Sequence, residues 1–138
     1  MLKPPSKAWY NFLVSNVSDR FGFPIETWRK AKLESKSALE GRAKVRGMMP
    51  YSELVRHIHA IPFEAHDVRL FALIGEITEE EDAAGRGMMS ALVVHKVGDM
   101  QPGPGFFELA ERLGKDTSDI LRCWIAEVKK VHAVWSRP

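Results

Sequence analysis

Glycine and proline divide this chain into segments of helical length, and these divisions limit its possible folds more than any other feature. Proline interrupts a helix because it lacks the amide proton and its ring clashes with the preceding turn. Glycine costs about 1 kcal/mol inside a helix relative to alanine. The breaks fall at Gly22 and Pro24, Gly47 and Pro50, Pro62, residues 98–105 and Gly114. The chain is therefore expected to form several short helices.

Apolar residues recur at helical spacing in most of these segments. Helices are expected from Ser6 to about Val17, from Glu26 to about Val45, from Tyr51 to Ile61, after an N-cap at Asp67, from Phe106 to Leu113, and after a cap at Asp116 or Thr117. Residues 88–96 become β-branched towards their end and predict one strand. The acidic residues 79–82 are expected in a solvated helix end or loop.

The size and composition of the chain fit one globular domain, with 138 residues of which 45% are hydrophobic. The expected fold class is α+β, a mostly helical single domain with a small β-hairpin or wing around residues 88–105. Residues 1–47 would form a basic helical part, and residues 48–138 a helix-helix-strand-helix-helix core. The expected core residues are Trp9, Phe12, Leu13, Leu54, Ile58, Leu70, Leu73, Leu92, Val94, Trp124, Ile125 and Val128.

Charge is unevenly distributed along the sequence. Residues 1–50 carry a net charge of +6, residues 51–100 carry −5, and the whole chain carries +2. Most of the early cations lie on the second expected helix: Arg29, Lys30, Lys32, Lys36, Arg42, Lys44 and Arg46. Such a surface attracts phosphate backbones through counterion release. The alternative is that the acidic residues 76–82 neutralise it within the fold.

The loop at residues 98–105 is a second candidate contact with nucleic acid. Gly103 and Gly105 would let backbone approach a ligand closely, and the prolines beside them would stiffen the loop. The helix opened by Phe106 favours an anion at its N-terminus. His95 and Lys96 end the expected strand, where side chains often face a site. The alternative is that the loop is a plain structural turn.

Four histidines raise the possibility of a metal site. His57 and His59 would point about 200° apart on a helix, so one helix could not direct both at the same metal. His66 and His95 are the other candidates, but the sequence has no HExxH motif and no cysteine pair. No residue is assigned a catalytic or metal-ligand role, and no cofactor is expected.

The sequence favours a cytoplasmic location. Its one cysteine, Cys123, cannot form an internal disulfide, and this indicates a reducing compartment. Lys3 is followed by Pro4 and Pro5 rather than by the apolar region of a signal peptide. No run of about 18 apolar residues is present, so no membrane partner is expected.

The order of elements from Tyr51 to Gly114 provides a resemblance. A helix opening Tyr-Ser-Glu-Leu, a strand ending Leu-Val-Val-His-Lys and a Pro-Gly-Pro-Gly-Phe loop follow one another within 64 of the 138 residues. This order resembles the winged-helix domain of alkyltransferase-like DNA-repair proteins, and small bacterial domains of similar pattern. The resemblance implies that Tyr51 helps to turn a nucleotide out of the duplex. It implies that Arg69, a partial match, fills the gap.

The chain departs from that family at its catalytic motif. Ser-Ala-Leu-Val at residues 90–93 stands where the family has Pro-Cys-His-Arg, and Cys123 lies outside the matched region. The connection from Tyr51 to Arg69 is also longer than in the family. Alkyl transfer is therefore not expected.

These observations favour a non-catalytic DNA-binding protein, in which phosphate contacts position the chain without specifying a base sequence. The candidate contacts are Arg29, Lys30, Lys32, Lys36, Arg42, Lys44, Arg46, Tyr51, Arg69, His95, Lys96, Gly103 and Gly105. One alternative is a protein-interaction or homodimeric adaptor subunit. The other is a small metal-dependent hydrolase or nuclease that uses His57, His59, His66 or His95.

Overall fold

A computed structural model describes residues 19–96 and 101–137 of the chain. It is 63% helical and carries a small parallel sheet, which confirms the expected mostly helical α+β fold. The helix expected from Ser6, the core residues Trp9, Phe12 and Leu13, and the loop residues 97–100 lie outside the described residues.

The described elements are short and alternate along the chain. The helices are α1 (Ile25–Lys44), α2 (Tyr51–His57), α3 (Val68–Ala83), α4 (Pro104–Arg112) and α5 (Ile120–Trp135), with a 3₁₀ turn at Met89–Leu92. The strands are β1 (Asp19–Arg20), β2 (Phe23–Pro24), β3 (Met49–Pro50) and β4 (Val93–Val94). None of the helices in the described ranges combines the length and apolar character needed to cross a membrane.

The four strands form two separate pairs. Strands β1 and β2 pair antiparallel around Phe21 and Gly22, which both adopt positive φ angles. Strands β3 and β4 pair in parallel, with Met49 opposite Val93 and Pro50 opposite Val94. The expected hairpin or wing around 88–105 is thus replaced, in the described residues, by a parallel pairing with a distant segment.

The expected strand at 88–96 is wrong over its first half because neighbouring helices bind the backbone there. The Met88 N–H donates to Glu127 Oε1 at 3.0 Å, and the Ser90 N–H donates to Thr78 Oγ1 at 3.1 Å. These amide groups are then not available for a strand ladder. Residues 89–92 form the 3₁₀ turn instead, and the strand shrinks to Val93 and Val94.

Helix boundaries follow the local capping chemistry. Asp67 caps α3 as expected, since its Oδ1 accepts the Arg69 N–H at 2.8 Å. Helix α2 ends at His57, before the expected Ile61. The cap of α5 is Asp119, whose Oδ1 accepts the Arg122 N–H at 3.1 Å, rather than Asp116 or Thr117.

The core lies where α1, α2, α3 and the 3₁₀ turn meet. Most of the expected core residues within the described ranges are buried: Leu54, Ile58, Leu70, Leu73, Leu92 and Val94. Trp124 and Val128 are only partly buried, and Ile125 is 40% exposed. At one edge of this core, the indole of Trp28 donates to Glu76 Oε2 at 2.7 Å and so ties α1 to α3.

A buried carboxylate joins the basic helix α1 to the acidic helix α3. The Glu81 side chain is 1% exposed, with Lys36 Nζ 2.7 Å from its Oε1 and Arg86 donating to its Oε2. Burial raises the pKa of Glu81, but hydrogen bonds and charges from Arg86 and Lys36 outweigh that effect and hold the pKa below its usual 4.5. The expected solvated acidic run is therefore wrong at Glu81, and α3 continues to Ala83.

We predict that Glu81→Gln lowers the free energy of unfolding by roughly 2–3 kcal/mol at pH 7. This is less than the ~3–5 kcal/mol of a fully buried pair, because Lys36 and Arg86 reach solvent. The control Glu80→Gln removes the exposed pair with Lys32 and should cost less than about 1 kcal/mol. Denaturant unfolding measures both; equal losses in the two variants would contradict the prediction.

The same substitution has a defined pH dependence. Because folding lowers the pKa of Glu81, its contribution to stability is fully present above its usual pKa of 4.5. That contribution is lost as the pH falls through the lower pKa of the folded state. The difference between the wild type and Glu81→Gln should therefore shrink below about pH 4.5.

Candidate functional site

The parallel pairing of β3 and β4 brings two sequence-predicted residues together. Tyr51 directly follows β3, and His95 directly follows β4. Since the carboxyl ends of parallel strands lie at the same edge, the two rings emerge side by side. Their centroids are 5.4 Å apart. The two residues define one corner of a cavity.

Gly103 closes this corner because it carries no side chain. The His95 N–H donates to the Gln101 carbonyl at 3.1 Å. This hydrogen bond holds the backbone at Gln101 beside the end of β4. A Cβ on Gly103 would stand 3.3 Å from His95 Nε2 and 3.6 Å from Tyr51 Oη, so the backbone of Gly103 lies close to both side chains. For Gly105, two residues later, no atom of the described residues outside its own helix lies within 4 Å of the Cβ position.

The other walls come from α3, α4 and the 3₁₀ turn. Phe71 of α3 packs edge-on against Tyr51, with ring centroids 5.5 Å apart. Phe106 and Leu109 of α4 and Gly75 of α3 complete a mostly apolar lining. The cavity has a volume of about 530 Å³, within the roughly 300–1,000 Å³ of small-molecule sites.

Ser90 supplies a polar group in this wall. The side chain is 8% exposed, and its hydroxyl has no hydrogen-bond partner among residues 19–96 and 101–137. The backbone N–H of the same residue is satisfied by Thr78 Oγ1. A buried hydroxyl without a partner costs about 1–3 kcal/mol. The oxygen itself is fully buried, so a molecule in the cavity would reach it only when the Ser90 side chain turns towards the cavity.

Carboxylates and one arginine form the charged part of the lining. Glu76 is held by Trp28 and by Arg20, whose Nη2 lies 2.6 Å from its Oε1. Glu79 lies 3.4 Å from Arg112 Nη2. Glu108 is exposed and has no ion pair within the described part of the chain. This lining offers phosphate groups little attraction.

Tyr51 acts as a neutral phenol in this setting. Burial raises its pKa above the usual 10.0, and a hydrogen bond with the backbone of Gly103 offsets only part of that rise. The hydroxyl therefore keeps its proton at neutral pH and can both donate and accept a hydrogen bond.

The predicted basic surface on α1 is largely neutralised within the fold. Lys32 pairs with Glu80, Lys36 with Glu81 and Glu40, Arg42 with Glu53, and Arg29 with Glu26. Lys30, Lys44 and Arg46 have no ion pair among the residues that the structure describes. The acidic residues of α3 supply two of these partners, which is the alternative considered from the sequence.

Arg69 is not among the residues that line the cavity. Its guanidinium binds Asp67, with Nη2 2.7 Å from Oδ2, and lies over the ring of Phe23 at 5.0 Å from the centroid. The guanidinium of this arginine, the partial match to the family's gap-filling residue, is thus already bound to the N-cap of its own helix. Lys96 is exposed beside His95, and Gly105 lines the cavity with Gly103.

The histidines lie near different carboxylates. His57 is 3.9 Å from Glu53, His59 is 3.6 Å from Glu34, and His66 is 3.5 Å from Glu64. Within the described ranges, no three His, Cys, Asp or Glu side chains converge as a metal site would require. Burial, with the charges of Glu127 and Asp116, raises the pKa of the Cys123 thiol, which disfavours a nucleophilic thiolate.

Sequence reasoning identified one corner of the cavity and missed the rest. In the sequence, Phe71 and Phe106 have the spacing of ordinary core residues of a helix, and Gly75 is a single glycine inside a helix. The sequence pattern places Ser90 in a strand. The only signal that could have singled out Gly75 is its cost inside a helix.

Comparisons of the chain with protein-family models, with curated proteins and with solved structures found no match. The geometry of the cavity is therefore the basis for a functional proposal.

We predict that Ser90→Ala leaves the free energy of unfolding unchanged or raises it by up to about 1 kcal/mol, because it removes an unpaired buried hydroxyl. The control Thr78→Val removes the acceptor of the Ser90 N–H and the donor to the Ile74 carbonyl. It should cost about 1–3 kcal/mol. Urea unfolding compares the two; a loss in Ser90→Ala as large as in Thr78→Val would contradict the unpaired state.

Proposed function

We propose that this protein binds a small organic molecule in the cavity bounded by Tyr51, His95 and Gly103. The observation that carries the proposal is a mostly apolar cavity of about 530 Å³ bordered by four rings. Its wall includes Ser90, whose buried hydroxyl has no partner in the described part of the chain. Ligand sites combine an apolar lining with a few polar groups that fix orientation.

The aromatic lining favours a flat ring as the body of the ligand. Tyr51, Phe71, His95 and Phe106 all border the cavity, and aromatic rings prefer edge-on or offset contacts with one another. Tyr51 would bind one polar group on that ring, and Ser90 would join it when its side chain turns towards the cavity. Indole, a flat ring with one N–H donor, is therefore a suitable probe.

Gly75 allows the cavity to be filled without a cost to the fold. Apart from its own helix, a Cβ at this position meets no atom of the described residues within 4 Å, and leucine is a better helix former than glycine by roughly 0.8 kcal/mol. We predict that Gly75→Leu keeps or raises the stability of the protein and abolishes indole binding. Shifts of the Ser90, Gly103 and Gly105 amides in NMR titrations measure that binding, with an expected Kd of about 1 mM.

The matched control is Gly41→Leu in α1. Outside its own helix, Gly41 also has no atom within 4 Å of its Cβ position among the residues that the structure describes, and it does not border the cavity. This variant should gain the same helix propensity and bind indole as the wild type does. Loss of binding in both variants, or indole shifts that persist in Gly75→Leu, would refute a ligand site in the cavity.

DNA binding is a second candidate function, supported by the cations that lack an ion pair. Lys44 and Arg46 lie at the C-terminal end of α1, beside Gly47. The Gly47 carbonyl lies 3.0 Å from His132 Nε2, so this end of α1 meets α5, and the exposed Arg137 follows α5. A phosphate backbone would bind these cations rather than the middle of α1, where Glu80 and Glu81 already pair with lysines.

We predict that the double variant Lys44→Gln and Arg46→Asn lowers the slope of log Kd against log salt for duplex DNA by about two, one for each lost phosphate contact. Asparagine is chosen because Arg46 has a φ of 55°, a region that asparagine tolerates. Fluorescence anisotropy with a labelled duplex measures the slope.

Arg29→Gln is the control for this prediction. Arg29 is paired with Glu26, and it lies 15 residues from Lys44, or about 22 Å along the helix. The slope should stay at the wild-type value in this variant. A wild-type protein that shows no binding at low salt, or equal slopes in all three proteins, would exclude this surface as a DNA contact.

A further inference from the structure

The ring-lined cavity has an aromatic end and a charged end. Phe71, Gly75 and Glu79 line it from one face of α3, since they follow one another at intervals of four residues. Phe71 packs against Tyr51 at the aromatic end, and Glu79 lies 3.4 Å from Arg112 of α4 at the other end. Glu79 comes eight residues after Phe71. The two ends are therefore about 12 Å apart along α3.

Carboxylates outnumber cations at the charged end. Glu79 and Glu108 line it together with Arg112. The contact between Glu79 and Arg112 is long, and their side chains are 48% and 71% exposed. Glu108 is exposed and has no ion pair in the described ranges. A further lining carboxylate, Glu76, is already neutralised by Arg20. The charged end therefore keeps a net negative charge.

We propose that the ligand of this cavity is an aromatic amine, with its ring beside Gly75 and its ammonium group at Glu79 and Glu108. This inference rests on the ligand site proposed above and adds the charge of the ligand. Gly75 and Glu79 are one helical turn apart, or about 6 Å, so a short chain joins the two parts of the ligand. An ammonium group donates strong hydrogen bonds to carboxylates, and aromatic faces attract it as well.

The cations near the cavity do not favour an anionic ligand over an amine. Arg112 would have to give up Glu79 to bind an anion, and Glu108, one helical turn before it, would still repel that anion. Lys96 is exposed and follows His95 at the aromatic end, and it is not among the lining residues. The two ends are separated by more than the screening length of about 8 Å at physiological salt. Lys96 therefore has little effect on the charged end.

Three ligands that share an indole ring and a two-carbon chain test the preferred charge. Tryptamine carries an ammonium group, tryptophol a neutral hydroxyl and indole-3-acetate a carboxylate. We expect tryptamine to bind the wild type at least about threefold more tightly than tryptophol, and indole-3-acetate to bind more weakly than both. Shifts of the Ser90, Gly103 and Gly105 amides in NMR titrations of the full chain measure the three Kd values. Added salt should reduce the advantage of tryptamine.

Two variants at the charged end should change the affinity for tryptamine in opposite directions. Glu108→Gln should weaken tryptamine about threefold, and Arg112→Gln should strengthen it about threefold because Glu79 loses its competing cation. Both should leave the Kd of tryptophol unchanged. The matched control is Glu111→Gln, which removes the same charge from an exposed residue of α4 that does not line the cavity. This variant should bind tryptamine as the wild type does.

The outcomes separate the charge preference from the ligand site itself. If neither indole nor any of the three ligands shifts the cavity amides, the ligand site is refuted and the charge preference with it. If tryptophol binds and tryptamine binds no more tightly, only the preference for an amine is refuted. The same holds if Glu108→Gln and Arg112→Gln leave the ratio of the two Kd values unchanged. Circular dichroism of each variant checks that the fold is retained.

Discussion

The buried carboxylate of Glu81 is the contact on which the arrangement of this fold depends. A charge removed from water is costly unless cations and hydrogen bonds compensate for it. Lys36 supplies this compensation from α1, and Arg86 supplies it from the turn after α3. The three residues therefore fix how the basic helix, the acidic helix and the following turn lie together. That turn leads directly into Met88 and Ser90, which belong to the core and to the cavity wall.

This ion cluster also changes what the charge distribution means. A strongly basic helix in isolation indicates a phosphate-binding surface. Here Lys32, Lys36 and Arg42 pair with carboxylates of neighbouring helices. Much of the excess positive charge of the first 50 residues is therefore neutralised inside the domain. Of the α1 segment's cations, Lys30, Lys44 and Arg46 have no ion pair within the described residues, and the last two lie at the C-terminal end of the helix. This remaining charge is compatible with a weaker and more localised contact with nucleic acid than the sequence alone indicates.

How far the sequence predicts this structure depends on whether the determining contacts are local. The proline and glycine breaks and the Asp67 cap are local, and they place α1, α3 and α4 closely. The strand expected at 88–96 was shortened by partners distant in sequence, Thr78 and Glu127, which no pattern within the segment reveals. The exposed Ile125 shows the same limit, because an apolar stripe does not say which of its residues finds a partner.

The candidate site divides in the same way. Tyr51 could be singled out through the resemblance to winged-helix domains, His95 because it stands at the end of the expected strand, and Gly103 because glycine permits close approach. That they meet is a consequence of the parallel pairing of β3 with β4, two segments more than 40 residues apart. Parallel strands need a long crossover connection, so their pairing is a tertiary event and is not visible in the periodicity of either segment.

Two residues of the cavity wall are poor choices for stability alone. Gly75 costs α3 about 1 kcal/mol relative to alanine, and in the described part of the chain no atom from outside its own helix lies within 4 Å of its Cβ position. The hydroxyl of Ser90, which has no partner in the described part of the chain, is a further cost, of which alanine would recover up to about 1 kcal/mol. Local choices that conflict with stability are expected at functional sites, and both of these border the same space. Their coincidence is a stronger argument for a ligand in the cavity than its volume, because imperfect packing explains an empty space but not a polar group left without a partner in its wall.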